Sequence, residues 1–237
     1  MRNRVNQALK LIYPDACPLC EELMAEPGRA CKECIAKLCF VGEVSCARCG
    51  KPIEDEEQEY CNDCGSLTRS FIRGYPAMEY TDEIRSCLMR FKYGSKKGYA
   101  GFLASMIIKS QGTKLLALGA DALVPVPVHR TRLKERGYNQ AKLLADELSG
   151  YLGIPVRDDI LLRQHKTLPQ KELNNIEREK NLKKAFISRV NKVEYKRVIL
   201  VDDIYTTGAT IEGCTRVLHS IGIPEVFYTS VCIGKGY

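Results

Sequence analysis

The chain has no tryptophan and only three histidines among its 237 residues. No serine–histidine–aspartate arrangement emerges, and His129, alone in a basic stretch, gives no metal site. No apolar run approaches the roughly 20 residues that a membrane-spanning helix requires. Residues 1–13 mix Arg2, Arg4, Asn6, Gln7 and Lys10 with Val5, Leu9, Leu11 and Ile12. They lack the unbroken apolar core and small-residue cleavage site of a secretory signal, so a short amphipathic helix and a cytoplasmic location are expected.

Cysteine, by contrast, is abundant, with twelve in the chain. In the absence of an export signal these are read as metal ligands and reduced thiols rather than disulfides. Eight of them form four C-x-x-C pairs: Cys17/Cys20, Cys31/Cys34, Cys46/Cys49 and Cys61/Cys64. The pairs are separated by ten, eleven and eleven residues, a regularity that suggests two similar units. Two intervening residues let both thiolates of a pair turn toward one tetrahedral zinc, and two pairs complete a closed four-cysteine site. Such a site has no open coordination position, so it folds the segment and catalyses nothing. Sequential pairing is the simplest arrangement; an interleaved cross-brace is the alternative that spacing leaves open. Gly50 and Gly65, each directly after a pair, suit the positive φ that a knuckle often needs. Cys87, Cys214 and Cys232 lie in apolar surroundings as expected buried thiols, whereas Cys39 has no assignment. The acidic run Glu54 to Glu59 reads as a solvated loop.

The net charge of +7 is unevenly distributed. Residues 1–70 hold nine Lys/Arg against twelve Asp/Glu, or −3, and residues 71–237 hold 27 against 17, or +10. The basic excess suits a polyphosphate ligand or a nucleic acid, and charge alone does not separate the two. Two units follow from these shifts: an N-terminal helix with a double zinc-binding segment over 1–70, and an α/β unit over 71–237.

The second unit is organised around Val198 to Thr210, V-I-L-V-D-D-I-Y-T-T-G-A-T. Val198 to Val201 is a continuous apolar run that suits a buried parallel strand, with Asp202 and Asp203 where that strand would leave the sheet. Thr206, Thr207, Gly208, Ala209 and Thr210 form a small, hydroxyl-rich loop leading into a helix over 211–221. Loop amides, hydroxyls and the helix dipole suit a phosphate dianion. The carboxylates suit ribose hydroxyls or a magnesium ion bridging ligand oxygens.

Around this stretch, residues 71–80 read as a strand, 81–93 as a helix capped by Thr81, and 100–111 as a further helix. Phe91 to Tyr99 interleaves aromatic and basic residues, either a single-strand stacking platform or, the favoured alternative, a connection whose rings pack inward. Ala122 to Val128 reads as a strand followed by a basic loop with His129, Arg130, Arg132, Lys134 and Arg136, and then by a helix over 141–151. Residues 160–163 form a short strand, and the charged stretch after it is expected to be mobile. Glu225 to Ile233 reads as a last strand.

The Val198–Thr210 stretch resembles the signature of type I phosphoribosyltransferases. V-P-V-P-V-H-R-x-R-L-K-E-R-G-Y-N-Q-A, the F-K-Y-G block and the cysteine-rich start resemble the ComF family of late-competence proteins across nearly the whole chain. That resemblance implies a mainly parallel α/β sheet of the type I phosphoribosyltransferase fold, behind an N-terminal double zinc ribbon. It implies that Asp202 and Asp203 hold the ribose of 5-phosphoribosyl 1-pyrophosphate with magnesium, and that Thr206 to Thr210 hold its 5′-phosphate. Arg130, and with it Arg132, would meet pyrophosphate. Lys166, Thr167, Gln170 and Arg178 would sit on a lid that excludes water. The family role implied is the handling of transforming single-stranded DNA with other competence proteins. Transfer of the ribosyl group to a nitrogen acceptor, with electrostatic rather than nucleophilic catalysis, is the alternative. A zinc-ribbon adaptor with a vestigial pocket fits an intact signature poorly.

Overall fold

The apolar run Val198 to Val201 is fully buried in a computed structural model of the chain, which describes residues 16–24, 30–164 and 185–234. It forms the first half of β5 (Arg197–Tyr205), in a sheet with β1 (Gly74–Glu79), β2 (Ala122–Pro125) and β6 (Glu225–Ile233). The order is β1-β6-β5-β2, and every pair in it is parallel. A strand covered on both faces has no solvent side on which polar residues would alternate, and β6 is accordingly buried from Val226 to Ile233. A separate antiparallel pair, β3 (Leu161–Arg163) and β4 (Phe186–Ser188), lies outside this sheet.

Side chains of β5 alternate between two buried clusters. Ile199 and Val201 join the first, with α3 (Asp82–Tyr93), α4 (Tyr99–Ala117) and most of α6 (Gln140–Leu152). Val198 and Leu200 join the second, with α7 (Ala209–Ser220) and the β3–β4 pair. The helix ends follow local chemistry. Asn139 caps α6 by accepting a hydrogen bond from the Ala141 N–H at 3.1 Å, and Gly153 ends it at φ +68°. Thr81 occupies the N-cap of α3, but its side chain makes no capping bond. The basic stretch after β2, expected as a loop, is instead the short helix α5 (Arg130–Arg136). His129 caps it, with Nδ1 accepting from the Thr131 N–H at 3.3 Å.

The cysteine-rich segment folds as two like units. In each, the first pair sits on a knuckle and the second on a short helix, α1 (Lys32–Ala36) or α2 (Asn62–Ser66). The residue after the first pair has positive φ in both, Glu21 at 65° and Gly50 at 71°. Gly50 has a further constraint, since a Cβ there would come within 2.6 Å of Pro76 Cδ. Gly65 departs from expectation: it lies inside α2 and not in the left-handed region. The acidic run 54–59 is exposed, as a solvated loop should be.

Both units share the core of the α/β part. Cys17, Leu19, Ala30 and Leu38 belong to the first cluster, and Cys46, Cys49 and Cys61 to the second. The segment between them lies antiparallel to the free edge of β1. The Val41 N–H donates to the Ala77 carbonyl at 3.0 Å, and the Glu79 N–H donates to the Cys39 carbonyl at 2.8 Å. Cys39 thus finds its place on a cover strand, with its side chain exposed. Covering an edge in this way removes a row of free backbone groups that would otherwise template pairing with another chain. Cys87, Cys214 and Cys232 are buried, as expected. The helix anticipated at 1–13 and the lid residues at 165–184 lie outside the described residues.

Candidate functional site

The acidic pair does not end the strand. Pairing with β6 continues through Asp202↔Ser230, Ile204↔Cys232 and Tyr205↔Ile233, so β5 runs four residues beyond the apolar run. A continuing strand sends successive side chains toward opposite faces, and the two carboxylates have different neighbours. Asp203 pairs with Lys92 of α3, Nζ to Oδ2 at 2.9 Å, with only 17% and 13% of the two side chains (Lys92, then Asp203) exposed. Burial works against the Lys92 charge, but Asp203, supported by Asp202, outweighs it and holds the ammonium above the ordinary lysine range. Asp202 acts on Lys92 less than Asp203 does, and acts also on Arg163 and the Cys214 side chain. Burial, reinforced by the neighbouring Asp203 charge, pushes Asp202 up to about 8. A cation placed beside it would oppose that shift by favouring the ionised form.

The loop that follows is tight for a steric reason. Gly208 has φ +78°, and a Cβ there would fall on the Tyr205 hydroxyl. The Tyr205 ring lies against Tyr228, centroids 4.8 Å apart and 7° from parallel, with Phe71 edge-on to both. The turn thus closes directly onto a packed aromatic column. Helix α7 begins at Ala209, and its first free amides face the same end of the sheet as Asp202 and Asp203. In parallel α/β sheets this carboxyl end is where ligands bind.

Lys92 is the site residue that pattern reading missed. It lies in the F-K-Y-G block, where spacing gives only a choice between a stacking platform and an inward-packed connection. Phe91 and Tyr99 do pack inward, whereas Tyr93 is 62% exposed. Arg136 lies over the Tyr93 ring, 4.6 Å from its centroid, and donates to its hydroxyl at 2.9 Å. The buried Tyr138 hydroxyl donates to the Phe91 carbonyl. The R-G-Y-N-Q block therefore grips the end of α3 and fixes the residue that carries the acidic pair's counter-charge.

Arg130 and Arg132 lie on α5 with their side chains reaching solvent, and among the described residues Arg130 makes no hydrogen bond or ion pair with the acidic pair. Arg163 is a second residue that sequence reasoning passed over. It ends β3 with its guanidinium 5.3 Å from the Phe186 ring centroid. Burial, then the like charge of Arg132, pulls its pKa down, against the opposing effect of Asp202. Lys166, expected to act in catalysis, lies outside the described residues, as do Thr167, Gln170 and Arg178.

The eight paired cysteines gather sequentially, Cys17, Cys20, Cys31 and Cys34 in one group and Cys46, Cys49, Cys61 and Cys64 in the other. In each group the sulfur atoms lie within 4.8 Å of one another, which decides against the cross-brace. Zinc–sulfur bonds of about 2.3 Å at tetrahedral angles place sulfurs about 3.8 Å apart. Cys49 and Cys61 are 3.6 Å apart, and Cys17 and Cys31 are 3.9 Å apart, so the donor sets fit zinc in type and spacing.

Two stretches of the chain match separate families: residues 8–65 a double zinc ribbon domain, and residues 134–234 a phosphoribosyl transferase domain. The chain is 33% identical over 187 residues to competence protein F of Haemophilus influenzae, covering 76% of this chain and 81% of that protein. It is 30% identical to competence protein ComFC of Bacillus subtilis, over 83% of this chain and 80% of the other. It is 25% identical to DNA utilization protein YhgH of Escherichia coli, over 94% and 98% of the two chains. Two closed four-cysteine groups packed on a parallel sheet with a phosphoribosyl transferase signature, together with these relatives, place the chain in the ComF family of competence proteins.

Proposed function

We propose that this protein binds 5-phosphoribosyl 1-pyrophosphate with magnesium, and that it uses this site in handling transforming single-stranded DNA. The observation that carries the ligand assignment is the succession along β5 and α7. Two adjacent carboxylates at the carboxyl end of a central parallel strand are followed directly by a glycine turn at a helix N-terminus. Asp202 and Asp203 would take the ribose hydroxyls, and Thr206 to Thr210 the 5′-phosphate. Arg130 and Arg132 would meet pyrophosphate, and Lys166 is the remaining candidate for a part in catalysis. Magnesium, when bound beside Asp202 and Asp203, would offset the charge of the pyrophosphate. On this reading residues 1–70 form the zinc-binding unit and 71–237 the ligand-binding unit.

Calorimetry with phosphoribosyl pyrophosphate and magnesium tests the assignment. Asp202→Asn combined with Asp203→Asn should lower affinity at least about tenfold, the effect of losing charge-assisted hydrogen bonds. Wild-type protein that binds nothing would sink the assignment. The pH dependence has a definite sign. Below about 8 Asp202 is mostly protonated, and a magnesium-bearing ligand needs it ionised. Affinity should therefore rise about fivefold from pH 7 to pH 8 and level off above about pH 9. A flat profile over that range would show that Asp202 is not displaced from its proton by the ligand.

The DNA role draws support from relatives named as competence and DNA utilization proteins, and from the basic balance of residues 71–237. Arg130, Arg132 and Lys134 are exposed on one short helix and would offer phosphate contacts to a strand. Binding to an unstructured oligonucleotide should weaken linearly in a log–log plot against salt. No binding at low salt would remove the DNA part and leave the ligand assignment standing. Transfer of the ribosyl group to a nitrogen acceptor is the second reading, since the same residues would bind the donor. Pyrophosphate released on adding an acceptor would establish it.

A further inference from the structure

The second four-cysteine group is joined to the phosphate loop by a short, buried connection. Arg69 follows Cys64 by five residues and is only 8% exposed. Its guanidinium donates to the Thr207 carbonyl at 2.8 Å, inside the T-T-G-A-T loop, 138 positions away in sequence. The Cys64 sulfur and the Glu212 carboxylate share its surroundings. Next to it, the Ser70 N–H and hydroxyl both donate to the Glu212 carboxylate, at 2.8 and 2.6 Å, in the first turn of α7. His219 Nε2, farther along α7, lies 3.1 Å from the Ser70 carbonyl oxygen. The aromatic column beneath Gly208 ends on the same unit, where the Tyr228 hydroxyl donates to the Cys49 carbonyl at 2.7 Å. The loop and the helix that follows it are thus held from below by residues 49–71.

A trans peptide has its C=O and N–H pointing in opposite directions. Drawing the Thr207 carbonyl inward to Arg69 therefore turns the Gly208 N–H the other way, toward the open end of the sheet. A buried guanidinium needs compensating charge. Four thiolates around a zinc ion leave a net charge of about −2 beside it, which four neutral thiols would not supply. We infer that Arg69 is a positioning residue through which the second zinc site sets the direction of the Gly208 amide, so that the grip on the 5′-phosphate depends on that site holding its metal. This rests on the phosphate-binding reading of Thr206 to Thr210, whereas the structural link itself does not.

Hydrogen exchange on the whole zinc-loaded protein separates the two. Arg69→Met should keep both zinc ions while exchange at the Gly208 to Thr210 amides rises about tenfold and that at Val198 to Val201 stays unchanged. In the same variant, phosphoribosyl pyrophosphate affinity should fall about tenfold, the loss of one well-placed donor. Should Arg69→Met fail to fold, Arg69→Lys, which keeps the charge but loses the planar fork, carries the same test. Cys64→Ser, which empties the second site, should reproduce the loop signature. Unchanged exchange in Arg69→Met, a rise spread equally over β5, or a quiet loop in protein whose second site is empty would each overturn the inference. Wild-type protein that fails to bind phosphoribosyl pyrophosphate would instead remove the proposed function and leave the exchange data to decide the link.

Discussion

Removing both zinc ions with a strong chelator should lower the melting temperature of the whole protein by more than about 10 °C and make it aggregate. Structural zinc sites contribute on the order of 10 kcal/mol to the segments they organise. Here that contribution is not confined to the ribbons, because their cysteines and apolar residues sit in both buried clusters alongside the helices of the α/β part. The first ribbon is tied to α3 through Arg90, which donates to the Pro18 and Leu19 carbonyls at 2.9 and 2.7 Å. Loss of the metals would also release the cover strand at Cys39 to Val41 and expose the edge of β1. Circular dichroism with light scattering, run beside a zinc count, measures this directly. Zinc-free protein melting at the wild-type temperature would show that the ribbons are appended to the α/β part and not integral to it.

Lys92→Met should destabilise the protein by about 3 kcal/mol, because it leaves Asp203 with little solvent and no cation. For a chain of this size that corresponds to a melting temperature lower by on the order of 10 °C. The double variant Lys92→Met/Asp203→Leu should recover most of the stability, since a buried ion pair contributes little over an apolar pair of similar volume. It should not recover ligand binding. Stability and binding thus part company in the double variant, and thermal melts beside calorimetry show both. A single variant that melts like wild type would mean that the Lys92–Asp203 contact is too well hydrated to matter.

Much of this site is legible in the sequence because its chemistry is local. Four C-x-x-C pairs place their own ligands, and V-I-L-V followed by D-D and T-T-G-A-T states strand, charge and turn in one continuous stretch. What pattern reading missed depends on contacts between distant parts of the chain. Two aspartates look like the end of a strand, yet β5 continues because β6 supplies a partner as far as Ile233. The helix at Arg130 to Arg136 has one apolar residue, Leu133, and a histidine cap, so it carries no periodic signal. Lys92 sits in a recognisable block, but nothing in that block says that its charge belongs to Asp203. Gly65 has the right residue type for a knuckle turn and is nonetheless helical, whereas Glu21 takes the left-handed position without being glycine.

The place of β6 in the sheet bears on how the chain is made. It comes after every other described strand in sequence yet lies between β1 and β5, and it joins them. During synthesis the ribbons emerge before the sheet and can take up zinc, and β5 can pair with β2. Until Glu225 to Ile233 appears, however, β1 has no sheet to enter. The bond from Tyr228 to Cys49 spans 179 positions, and it forms only when this strand arrives. A ribosome-bound chain halted before Glu225 should therefore hold its metals and still lack the aromatic column beneath the Thr206–Thr210 loop. Nascent chains of this protein would need either fast completion or a chaperone over the open β1 and β5 edges.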